Sequence, residues 1–182
     1  MHSSLTKADN AIISGNLDVA YQAQQLLTSV TSAAYGRMRA DGFTSTIGQH
    51  MRHALDMYWA LHQGEGSGVM NADGRRRGHR VETDKSLAQA EWQAIASWLH
   101  TLSSQQLKQS IQVSTQVTLY ASNTVTTPST IMRELIAVAS HATHHFAMMR
   151  TAAYDLGEVL DKEIGIAAAT ASYQREQHPC AR

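Results

Sequence analysis

The chain has 182 residues, 43% of them apolar and only 16% charged, a balance that suits a folded globular protein and excludes a disordered one. Lys plus Arg and Asp plus Glu number 15 each, so no overall positive field exists to draw nucleic acid or an anionic membrane surface. The length predicts one domain, residues 1–182, with a core large enough to need no disulfide; the lone cysteine, Cys180, allows no intrachain bridge and fits a reducing compartment.

Met1 to Asn16 lacks the basic start and apolar run of a secretory signal, and no stretch approaches the ~18 apolar residues of a membrane span. A cytoplasmic protein is expected. Proline is absent from the first 127 residues, which permits long helices. Leu17 to Met38 reads as the first: Val19, Ala23, Leu26, Val30 and Ala34 recur at spacings of three and four, and Gly42 lies in the turn that follows. Ser45 to Gln63 reads as the second, with Ser45 or Thr46 as its N-cap, a stripe of Ile47, Met51, Ala54, Tyr58 and Leu61, and Gly64, Gly66 and Gly68 at its end.

Val69 to Asp84 is polar and reads as a long irregular loop, the kind that is functional or mobile. Thr83 or Asp84 caps a third helix that runs to about Leu102 on Leu87, Ala90, Trp92, Ile95, Trp98 and Leu99. Between Leu107 and Val125 the pattern alternates, with Ile111, Val113, Thr115 and Val117 set among polar residues, which predicts two short strands in a hairpin. Thr127 and Pro128 are expected to open the fourth helix. Its seam of Ile131, Leu135, Val138, Ala142, His145, Met149 and Ala152 faces inward as in a helical bundle, and Gly157 ends it. Asp161 to Gln174 reads as a shorter fifth helix. The fold class expected is all-α with a small hairpin before the fourth helix.

Five of the ten histidines fall in two clusters, His50 and His53 on the second helix and His141, His144 and His145 on the fourth. His141 and His145 stand one turn apart on one face, so both can address a single ion. A third ligand must come from elsewhere, and His50 and His53 are the candidates. The H-E-x-x-H motif of zinc proteases and the paired E-x-x-H motifs of di-iron bundles are absent. What remains is an all-imidazole site, whose neutral ligands leave a divalent ion its full charge to polarise a bound water or thiol.

Two stretches, Ile47-Gly-Gln-His-Met-Arg-His-Ala-Leu-Asp56 and Ser140-His-Ala-Thr-His-His-Phe146, resemble the signature segments of the DinB-like superfamily, and the resemblance runs from the first helix to Gly157. It implies a four-helix bundle with a long crossover between helices two and three. It also implies a divalent metal, nickel or zinc, held by His53, His141 and His145. Activities in the superfamily include thiol transfer, a thiol-dependent isomerisation and metal-dependent hydrolysis. Where many relatives place Gln after the histidine pair, this chain has Ala147, Met148 and Met149.

The function expected is that of a metal-dependent enzyme acting on a small molecule, with a metal-activated water or a low-molecular-weight thiol as nucleophile, and His50 and His144 as the residues that move the proton. The alternative is a non-catalytic bundle in which the ion pins two helices together and the protein binds a ligand or partner without turnover. A homodimer is expected, without nucleic acid or membrane partners. Asp56 either orients a ligand imidazole or pairs with Arg52. Arg75, Arg76, Arg77 and Arg80 form a solvated loop or, folded over the metal, a grip for a small anionic substrate. Trp59, Trp92, Trp98, Met51, Met57, Met148 and Met149 are expected in the core, with Tyr58 and some methionines beside an apolar pocket.

Overall fold

Capping chemistry sets where the helices begin. The computed structural model describes residues 4–38 and 45–177, so the turn assigned to Gly42 and the tail with Cys180 lie outside the described residues. Helix α1 (Lys7–Ser29) starts ten residues before the expected Leu17, because Thr6 and Asp9 close a reciprocal capping box. It stops at Val30, which turns extended, and Thr31 then caps a separate short helix α2 (Ser32–Tyr35). The single helix expected from Leu17 to Met38 is therefore two. Helix α3 (Ile47–Ser67) begins at a second box formed by Thr46 and Gln49, and ends at Gly68, whose φ of 80° suits a residue without a Cβ.

The polar stretch after α3 is not wholly irregular. It contains strand β1 (Val69–Asn71) and a 3-10 turn at Arg80–Glu82. Asp84 then accepts from the amides of Ser86 and Leu87 and starts α4 (Lys85–Thr101), which is followed by a one-turn helix α5 (Ser104–Leu107). The hairpin expected next is present as β2 (Ser110–Gln116) and β3 (Thr124–Thr130). It is joined by β1, parallel to β2, giving a three-stranded sheet in the order β1-β2-β3.

Thr127 and Pro128 belong to β3 rather than to the helix; Pro128 sits opposite Gln112 on an edge strand, where a missing amide is tolerated. Thr130 ends the strand and caps α6 (Ile131–Asp155), so strand and helix join without a loop. The last helix, α7 (Ala168–Gln177), starts later than Asp161 and buries no residue.

The protein is mostly helical. Helix α3 packs against α6 and α4, and α1 against α4 and α6, around Trp92, Tyr35, Tyr58, Phe146 and Leu26, all fully buried. Trp98 and Met149 are also in this core, whereas Trp59, Met57 and Met148 are only half-buried. Gly48 lets the 3-10 turn approach α3 closely: a Cβ there would lie 1.9 Å from the Glu82 carbonyl oxygen. Among the described residues no helix is long and apolar enough to cross a membrane.

Candidate metal centre

Helices α3 and α6 face one another along the stretch that carries both histidine clusters. One donor atom from each of His53, His141 and His145 can be chosen so that all three lie within 4.8 Å of one another. The Nε2 atoms of His53 and His141 are 2.7 Å apart, and the ring centroids of the trio are separated by 4.7, 4.6 and 4.5 Å. The i, i+4 spacing on α6 thus does what the sequence suggested, and the third ring is that of His53.

His50 stands beside the trio, not in it. Its Nδ1 is 3.1 Å from Nδ1 of His145, and it is buried. His144 is exposed, with its ring centroid 5.6 Å from that of His145.

Burial disfavours the charged form of His50, His53, His141 and His145. It pushes the pKa of His53 down to about 4, with Arg75 and His141 adding to the effect, and that of His145 down to about 3, with the neighbouring histidines adding to it. His50 and His141 are lowered as well, chiefly by burial. A neutral imidazole is the form that ligates a metal. The donor set therefore fits one divalent cation: three close, uncharged nitrogens from two rigid helices.

Asp56, one turn beyond His53, is occupied elsewhere. Its carboxylate accepts from Arg52 Nη1 at 2.6 Å, from the Arg76 amide at 3.1 Å and from Arg76 Nε at 2.6 Å. Of the two roles considered for Asp56, the pairing with Arg52 is the one present. Arg52 reaches Glu82 as well, at 2.7 Å.

A cleft of about 390 Å³ opens against the histidines, lined by His50, His53 and His145 together with Ser45, Gln49, Arg52, Arg75, Arg77, Gly78 and Glu82. This lining is polar. Tyr58 is not part of it: the ring is fully buried against Trp92 and its hydroxyl donates to Asn16 Oδ1 at 2.8 Å. Gln49 and Glu82 had no signal in the sequence beyond polarity, and nothing in the run of adjacent arginines distinguished Arg75 from its neighbours.

No protein-family model matches the chain, and no curated protein matches it.

Proposed function

We propose that the protein is a metal-dependent enzyme acting on a small molecule, built as a four-helix bundle of the DinB-like type. In this reading α1, α3, α4 and α6 are the bundle helices, and residues 68–84 are its long crossover. His53, His141 and His145 hold one nickel or zinc ion, metals at home among imidazoles. The observation that carries the proposal is the convergence of three uncharged ring nitrogens from α3 and α6 within 4.8 Å.

When bound, such an ion supplies Lewis acidity that makes a water or a thiol nucleophilic near neutral pH. His50 Nδ1 lies 3.1 Å from His145 Nδ1, so His50 accepts from that ring's N–H, leaves the other His145 nitrogen free for the ion, and keeps its own Nε2–H to donate toward the cleft. His144, exposed beside His145, exchanges protons with solvent. A cleft against the histidines supports open coordination positions rather than a closed structural site.

Elemental analysis of untagged protein tests this reading. One ion per chain is expected in the wild type and close to none in His141→Ala, with circular dichroism showing that the variant remains helical. A wild type that takes up no divalent metal, or a His141→Ala variant that keeps it, overturns the site. With metal established, turnover is sought among electrophiles offered with cellular thiols and among ester and amide substrates.

A further inference from the structure

The arginines around the crossover are not equivalent. Arg76 is fully engaged: it meets Asp56 at 2.6 Å and grips Glu91 with both terminal nitrogens, at 2.9 and 2.7 Å. Arg52 is held between Asp56 and Glu82. Arg80 pairs with Asp84 at the surface, 3.2 Å away. Arg75 has no carboxylate partner among the described residues, although it is half-buried.

Its Nη1 donates to the carbonyls of Ala72 at 2.7 Å and Gly74 at 2.8 Å. Those two bonds fix the guanidinium in place and leave Nε and Nη2 without a partner among the described residues. Burial lowers the Arg75 pKa, and Asp56 and Asp73 offset this only in part. Arg75 lines the same cleft as His53 and His145. Glu82, the carboxylate on that cleft, has its Oε1 engaged by Arg52 and by the Gly78 amide at 3.1 Å. A partly desolvated cation beside an all-imidazole ion site is positive charge that no carboxylate among the described residues pairs with directly.

Resting on the metal reading above, we propose that Arg75 anchors the carboxylate of a small organic anion whose other end reaches the three histidines. A planar guanidinium fixed through one nitrogen presents its remaining N–H groups in the fork that a carboxylate matches. Arg77, exposed on the same cleft, adds attraction at longer range.

The test is calorimetric titration of acetate, malonate, succinate and inorganic phosphate into cobalt(II)-loaded wild type, Arg75→Gln, Arg75→Lys and Arg80→Gln, with metal content measured on each sample. A dicarboxylate is expected to bind the wild type and to bind Arg75→Gln roughly 10- to 100-fold more weakly at unchanged metal content. Arg75→Lys is expected to recover part of the loss, and Arg80→Gln to behave as wild type. Equal affinity in Arg75→Gln, or no carboxylate binding by the metal-loaded wild type at millimolar concentration, overturns the proposal while leaving the metal reading intact. Phosphate bound more tightly than the dicarboxylates overturns the assignment to carboxylates. If the wild type takes up no cobalt, the metal reading fails by itself. Titration of the metal-free chain then decides: carboxylate binding that needs Arg75 upholds the anchor, and its absence removes it.

Discussion

Two parts of the interior treat buried polar groups in opposite ways. Around Trp92 they close on protein partners: Trp92 Nε1 donates to Met51 Sδ at 3.1 Å, the Tyr58 hydroxyl to Asn16 Oδ1 at 2.8 Å and the Tyr35 hydroxyl to the Val81 carbonyl at 2.7 Å. Between α3 and α6, imidazoles meet one another instead, His53 with His141 and His50 with His145. The first arrangement rigidifies the fold. The second leaves nitrogen lone pairs directed at one small space, at a cost in cohesion that apolar side chains there would not carry. Apolar cohesion and the imidazole cluster are thus housed at different places in one helical scaffold.

The contrast is most severely tested at Trp92. Replacing it with Ala is expected to cost about 3–5 kcal/mol in urea unfolding; a loss below about 1 kcal/mol would show that the apolar region does not carry the stability assigned to it. Next is Gly48→Ala, whose new Cβ would meet the Glu82 carbonyl at 1.9 Å and the Tyr35 ring at 2.9 Å. About 1–3 kcal/mol is expected, together with faster proteolysis within residues 72–84, as the crossover is pushed off α3.

Acid sharpens the contrast from the other side. In the unfolded chain the histidines take up protons near 6.5, whereas folding holds His53 to about 4 and His145 to about 3. The unfolded state therefore binds more protons in that window, and the stability of the metal-free protein falls as pH drops from about 6.5 towards 4. Urea midpoints at pH 5 and 7 check this, and His145→Leu is expected to flatten the dependence. A midpoint that rises on acidification would contradict the neutral state assigned to these rings. The smallest effect is expected for Arg80→Ala: its pair with Asp84 is largely solvent-exposed, so the melting curve should shift by no more than about 0.5 kcal/mol.

Much of this was written in local pattern. The seam of α6 and the histidine spacing on it follow from helical periodicity, and His53 is the third ring of the trio, as the sequence resemblance implied. The early start of α1 was legible too, in Thr6 and Asp9, but a capping box outside the apolar stripe is easily passed over. Pro128 misled because the residue that favours a first helical turn also fits an edge strand, and only pairing with Gln112 decides between them. Strand β1 was hidden for a similar reason: three residues carry no readable alternation, and their pairing with residues 112–114 is long-range. The different fates of Arg75 and Arg76 lie in tertiary placement of Asp56 and Glu91, which no local pattern encodes.

The seamless join at Thr130 has a consequence for how this molecule tolerates change in length. Because β3 passes straight into α6, the twist of the hairpin and the rotational phase of the helix are one quantity. One extra residue at that junction would turn α6 by about 100° and swing His141 and His145 away from α3. An extra residue at the exposed tip, between Val117 and Asn123, would be absorbed where it is placed. Insertions and deletions among related chains are therefore expected at the tip and excluded from the junction.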